Sequence, residues 1–274
     1  MGNDTMGVLR SWRKWQEAQG LSPRTIQDRE YLLTLFFATT NAGPLAITPE
    51  HVITFIGRPG IGQSTRATYH KHLRAYSKWL VRTGKRTEDP TAQTPIPRQP
   101  KGLPRPVSSH DLPLILKACN RRRTKMMVLL ASLQGLRIHE IAKIRGEDVD
   151  VRTMSLTVTG KGNKTAILPL HQTVAMFATS FPSWGPWFPF GTSSETIAPN
   201  GVGKAIRSAM RRAGVQGTPH QLRHWYGSTL VHNGVDLRTV QELLRHESLA
   251  TTQIYTQVLD KDRRDAIDGL SIVA

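Results

Sequence analysis

One cysteine, Cys119, stands in 274 residues, which rules out an internal disulfide and a cysteine-based zinc site. A reducing, cytoplasmic setting, that of a bacterial host and its nucleoid, fits that scarcity. Long apolar runs are missing too. The longest, Met126–Leu133, is far too short to span a bilayer and follows Arg121, Arg122, Arg123 and Lys125. The first residues carry no apolar signal region, and Met6 stands where a myristoylation signal wants Ser or Thr, so no membrane partner is expected. Acids are also scarce: 20 Asp and Glu face 37 Lys and Arg, leaving a formal charge of +17. A surplus of that size repels itself unless a polyanion shares it, so nucleic acid, DNA ahead of RNA, is the expected partner. The rest of the composition, 38% hydrophobic and 21% charged, is that of a folded globular chain.

Periodicity divides the chain in three. Residues 1–87 read as helical. Ser22 and Pro23 start a helix that places Ile26, Tyr31, Leu32, Leu35 and Phe36 at helical spacing. Thr48-Pro49-Glu50 starts another, with Val52, Phe55 and Ile56 on one face. A third, from about Ser64 to Val81, buries Tyr69, Leu73, Tyr76 and Leu80 and carries Arg66, Lys71, Arg74 and Lys78 on its other face. The product is a small bundle with a basic side suited to DNA. Residues 88–107 hold six prolines interspersed with Arg98, Lys101 and Arg105, which reads as an extended, basic interdomain tether; Lys101 and Arg105 are candidate DNA contacts. Residues 108–274 form a second domain. Ser109 is expected to cap a helix bearing Leu112, Leu114 and Ile115, and an apolar helix runs from about Lys125 to Leu133. Ser155–Thr159 and Thr165–Leu168 flank the turn Gly160-Lys161-Gly162-Asn163 as a β-hairpin. Further on, Val202, Ile206 and Met210 face the core, while Lys204, Arg207 and Arg211 share the opposite side. Three cations without an acid suit phosphate contact, although a solvated face would account for them too. The fold class is therefore mainly α with a small β-sheet.

Five short blocks carry chemistry-bearing residues: Gly135-Leu136-Arg137-Ile138-His139-Glu140, Gly160-Lys161-Gly162-Asn163-Lys164, His220-Gln221-Leu222-Arg223-His224, Leu243-Leu244-Arg245-His246 and Thr251-Thr252-Gln253-Ile254-Tyr255. Each singled-out residue has a plain reading on its own: a helix-start arginine, a turn lysine, a helix-capping histidine, a core tyrosine. Together and in this order, the blocks resemble the tyrosine recombinase family, which includes phage integrases and the bacterial Xer recombinases. The resemblance covers nearly the whole chain. It implies a core-type DNA-binding domain before the linker, a catalytic domain after it, and a C-shaped clamp of the two around DNA. One departure is visible: the family usually has glycine where Arg245 stands. Glycine would allow close backbone approach there, whereas arginine puts the geometry around His246 in question and offers another phosphate contact.

The chemistry accounts for the residue types. A phosphodiester is anionic and gains charge on attack, so the planar donor forks of Arg137 and Arg223 suit its non-bridging oxygens without calling on a metal or cofactor. Tyr255 supplies a phenolic nucleophile, and the resulting phosphotyrosine conserves bond energy for rejoining. The resemblance implies a 3′-phosphate linkage. It also implies a homotetramer on two duplex recombination sites, and accessory DNA-bending or directionality proteins are possible partners. His220 is the candidate general base, Lys161 the candidate general acid, and His246 a hydrogen-bond donor to the phosphate. Glu140, one turn after Arg137, is read either as a support for this set or as a surface acid. Glu147, Asp148 and Asp150 read as a solvated turn rather than a metal site, and Trp184, Trp187, Phe188 and Phe190 as a packed loop. The apolar end of the chain, Leu270, Ile272 and Val273, docks either on a neighbouring protomer or in cis. Two other functions stay open: a DNA-binding protein with an unused site, and a type IB topoisomerase-like enzyme that relaxes one duplex.

Overall fold

The computed structural model describes residues 3–98, 105–160, 164–191, 195–246 and 252, with side chains from Met6 onward. The chain divides into two compact units, Met1–Gly102 and Leu103–Ala274. The first is a helical bundle of α1 (Asn3–Ala18), α2 (Pro23–Thr40), α3 (Pro49–Gly57) and α4 (Gln63–Arg82). Local signals set the helix starts. The Ser22 hydroxyl accepts from Thr25 N at 3.2 Å, with Pro23 in the first turn. At α3, Thr48 and His51 exchange side-chain and backbone hydrogen bonds, a capping box with imidazole in the acceptor's place. The core gathers Trp12, Phe36, Phe55, Leu73, Tyr76 and Leu80.

One helix goes beyond the sequence reading of this unit, and two expectations need correction. Helix α1 has no cap signal in the sequence, yet it delivers Trp12, whose ring meets Tyr76 edge-on at 5.6 Å. Tyr31 is 70% exposed, because its neighbours Leu32 and Leu33 already fill the inward face of α2. Arg66 is not on the basic face at all: its guanidinium donates to the carbonyls of Ile56, Arg58 and Ile61, closing the C-terminal end of α3. Lys71, Arg74 and Lys78 are exposed along α4.

The proline-rich segment does not begin as an extended tether. Asp89 accepts from Thr91 N at 2.8 Å, and buried Thr94 meets the Nε2 of His70 on α4 at 2.9 Å. Short side chains that can bond their own backbone fold this stretch onto the bundle. Arg105 is exposed, and Lys101 lies outside the described residues.

The second unit holds α5 (Asp111–Lys117), α6 (Arg122–Leu133), α7 (Ile138–Lys143), β1 (Val149–Asp150), β2 (Ser155–Thr159), β3 (Thr165–Pro169), α8 (Gln172–Ala178), α9 (Pro199–Arg212), α10 (Pro219–His232) and α11 (Leu237–Leu244). Helix α6 runs through the centre with every residue from Met126 to Ser132 buried, packed by α8, α9 and α10. The strands form an antiparallel meander, β1-β2-β3, with Thr159 opposite Thr165 as its last pair. Leu156, Val158 and Leu168 point into the core. Ser109 does not cap α5; Ser108 accepts from Asp111 N at 3.0 Å instead, and the Ser109 hydroxyl accepts from the Trp225 indole. Leu114, expected in the core, is 40% exposed. Among the described residues no helix is long and apolar enough to cross a membrane.

Candidate active site

The site grows from the end of α6. Gly135 takes φ +60, and a Cβ there would lie 2.5 Å from the Tyr226 ring, so only glycine fits. The chain then turns to place Arg137 at the N-cap of α7. Glu140, in the first turn, reaches back: one carboxylate oxygen accepts from Arg137 N at 2.7 Å, the other from the Arg137 guanidinium at 3.1 Å. Glu140 is 1% exposed and its Oε2 lies 4.0 Å from Arg223. A carboxylate so deeply buried is not a surface acid.

Arg223 comes from α10 and is 1% exposed. Its two terminal nitrogens donate to the carbonyls of Gly135 and Leu244, joining the turn after α6 to the end of α11. His220 sits one turn earlier on α10. A cleft of about 290 Å³ opens here, lined by Arg137, His139, Arg207, His220 and Arg223 among others. Arg207, singled out for DNA contact, thus borders the same cleft, while Lys204 and Arg211 are exposed on α9. Desolvation by the cleft walls, then the charges of Arg223 and Arg137, hold the His220 pKa below the usual imidazole value. His224, packed edge-on to His220 at 4.3 Å, is pushed down to about 4 by burial and by its two neighbours His220 and Arg223.

His246 follows α11. Burial first, then Arg223 and Arg137, lower its pKa to about 3. Its Nδ1 lies 2.9 Å from the hydroxyl of Thr252, a fully buried residue of the Thr-Thr-x-x-Tyr block. The residue before it, Arg245, occupies the left-handed region at φ 54, ψ 47, the backbone conformation a glycine would take without strain. Its side chain donates to Glu140 at 2.8 Å and to the Leu243 carbonyl at 2.9 Å. The offered phosphate contact by Arg245 is therefore replaced by an internal ion pair.

The structure thus brings together Arg137, Glu140, His220, Arg223 and His246. Lys161 and Tyr255 lie outside the described residues, as does the apolar end of the chain. The hairpin that carries Lys161 is closed by Gly160 N donating to Lys164 O at 2.8 Å. Sequence reasoning assigns no role to Thr252 or to an Arg245–Glu140 pair; the Thr-Thr pair and the missing glycine are the available signals. Among the described residues no group of three or more His, Cys, Asp or Glu is arranged to hold a metal. Glu147 pairs with Arg145, Asp148 accepts from Arg145 N, and Asp150 accepts from Arg152 N and Thr153 N. In the aromatic loop Trp187 and Phe188 are buried, whereas Trp184 and Phe190 are exposed, at 74% and 67%.

Three guanidinium groups, those of Arg137, Arg207 and Arg223, and two imidazoles, those of His139 and His220, line one cationic cleft on a helical fold with a three-stranded meander, and His246 lies within reach of the charges of Arg223 and Arg137. Residues 106–262 match the phage integrase family. The chain is 41% identical to the integrase from mycobacterium phage Brujita, covering 98% of this chain and 95% of that one, with a TM-score of 0.52. It is 30% identical to tyrosine recombinase XerD from Yersinia pestis over 239 residues, 80% of each chain. A lambda integrase tetramer bound to a Holliday junction shares the fold at a TM-score of 0.72 and 16% identity, over 89% of this chain and 77% of that one. The chain belongs to the phage integrase family of tyrosine recombinases, the enzymes of site-specific DNA recombination.

Proposed function

We propose that this chain is a phage-type integrase that cuts duplex DNA at a specific site through a 3′-phosphotyrosine at Tyr255, exchanges strands in a homotetramer on two duplexes, and rejoins them. The observation that carries the reading is the meeting of Arg137 and Arg223 on buried Glu140 beside His220 and His246. The preference for a phage integrase over a Xer-type resolvase rests on the higher identity to the Brujita enzyme.

Each residue has a task in this scheme. Arg137, one-third exposed at the cleft, presents its fork to the non-bridging oxygens of the scissile phosphate. Arg223, committed to two carbonyls, acts from the cleft floor as a fixed positive charge that offsets charge built up on attack. His220, kept neutral by its surroundings, accepts the phenolic proton of Tyr255. Lys161, between β2 and β3 in the sequence, protonates the departing 5′ oxygen. His246, with Nδ1 held by Thr252, directs Nε2 at the phosphate. The helical bundle of the first unit serves as the core-type DNA-binding domain, with Lys71, Arg74 and Lys78 on phosphates, and Lys204 and Arg211 contribute from the second. The setting is the bacterial host cytoplasm, with DNA-bending or directionality proteins as accessory partners.

The test starts from a binding site selected out of a random duplex pool. A nicked duplex carrying that site lets the cleaved fragment diffuse away and traps the intermediate. A covalent protein–DNA adduct that survives denaturation, forms in EDTA and is lost in Tyr255→Phe is the expected result. Joining of two sites distinguishes recombination from relaxation of one duplex. No adduct under any of these conditions overturns the assignment.

A further inference from the structure

We propose that Arg245 is a positioning residue for DNA cleavage: it shares the charge of Glu140 with Arg137 and Arg223, and so locks the His246 turn to the Arg137 turn in one frame. The kinetic part of this inference rests on the recombinase function proposed above.

The backbone supplies the first reason. Arg245 ends α11 in the left-handed region, where a Cβ crowds the following carbonyl and glycine alone is unstrained. A side chain kept there must return something for the strain. Arg245 is 14% exposed, and its terminal nitrogens reach Glu140 Oε2 at 2.8 Å and the Leu243 carbonyl at 2.9 Å. A charge-assisted hydrogen bond to a buried carboxylate is strong enough to hold an unfavourable backbone state.

Charge counting supplies the second. Glu140 carries one negative charge and faces three guanidinium groups, those of Arg137, Arg223 and Arg245. With glycine at 245 the surplus beside the cleft would be smaller by one unit. The surplus matters most when a phosphate gains charge during attack, so Arg245 favours the transition state over the bound ground state. Because its two terminal nitrogens end on Leu243 and Glu140 and its Nε is buried, it acts through Glu140 and not on DNA.

The third reason is connectivity. Leu244 O receives Arg223, Arg245 holds Glu140, and His246 comes next in the chain. Two successive residues thus tie the histidine turn to both arginines.

The experiment uses the full chain and the nicked duplex, with Arg245→Gly, Arg245→Met and Arg245→Lys. Arg245→Gly relieves the backbone strain while deleting the charge, so its fold, checked by thermal melting, is secure even where Arg245→Met fails to fold. Single-turnover adduct formation should fall about tenfold in Arg245→Gly with duplex affinity within roughly twofold of the parent, and Arg245→Lys should recover most of the rate. In parallel, the His246 imidazole, followed by NMR, should titrate at higher pH in Arg245→Gly, since one nearby cation is gone. Parent-like cleavage by Arg245→Gly overturns the proposal. So does loss of DNA binding in step with cleavage, which would make Arg245 a phosphate contact, or an Arg245→Lys as slow as Arg245→Gly. Should the parent itself form no adduct, the recombinase assignment fails separately; an unshifted His246 titration then overturns the role of Arg245.

Discussion

Glu140 and Arg245 are 105 positions apart in the chain and 2.8 Å apart in the fold. That pair, with Arg137 and Arg223 on the same carboxylate, makes Glu140 the one anion, among the described residues, on which the cationic side of the cleft depends.

Replacing Glu140 by alanine should therefore unfold the second unit more readily than loss of a surface acid would. Three guanidinium groups would face one another without a counter-charge, at a cost of roughly 3–5 kcal/mol in urea melts. Burial alone would raise the Glu140 pKa, but Arg245, the Arg137 N–H and Arg223 together hold it below the ordinary carboxylate value. The stability it contributes is then fully present above the glutamate pKa of the unfolded chain, and is lost as pH falls through the lower folded value. The stability gap between parent and Glu140→Gln should shrink over that acid window. A gap that stays constant there would contradict the charge assignment.

His220 gives a kinetic counterpart. Desolvation and the two arginines keep its imidazole neutral to lower pH than usual. Adduct formation should accordingly hold its rate as pH drops through about 6.5, the usual imidazole value, and fall only below it. His220→Gln should lose about 10²-fold in rate while binding duplex normally. An acid limb centred at or above the usual imidazole pKa would show that another group is the base.

The basic residues of α4 divide by what they touch. Removing the charge at Lys71, Arg74 or Lys78 should weaken duplex binding and flatten its salt dependence, by about 0.9 in log–log slope for each phosphate no longer neutralised. Arg66→Ala should leave that slope unchanged and instead lower the melting temperature of the bundle, since the carbonyls of Ile56 and Arg58 at the end of α3, and of Ile61 in the loop that follows, lose their donor. A reduced salt slope in Arg66→Ala would return Arg66 to the DNA-facing side.

Much of this is legible from residue order, for identifiable reasons. Capping residues such as Ser22 and Thr48 act over three or four positions, and the alternation of Ser155–Thr159 sets the hairpin over five. Arg137 and Glu140 are one helical turn apart, so their pairing follows from local geometry. The rest depends on meetings between distant segments. Nothing near Arg66 in sequence says that it will close the end of α3, and nothing near Arg245 points to a carboxylate on α7. Tyr31 and Leu114 sit at positions compatible with burial, and only the packed neighbours show that the inward faces of α2 and α5 are already filled. Thr252 reads in sequence as a motif letter, because nothing in the residue order says that a hydroxyl six positions on will meet the imidazole of His246.

Arg223 reaches carbonyls at positions 135 and 244 from within the protein interior. Its orientation is settled when the polypeptide folds, so arriving DNA spends no binding energy on aligning that guanidinium. The same arrangement forbids a half-built centre: a chain in which the segment around α11 has not yet closed over α6 holds this cation nowhere in particular. Fixing this guanidinium at the cleft and completing the second unit are a single event.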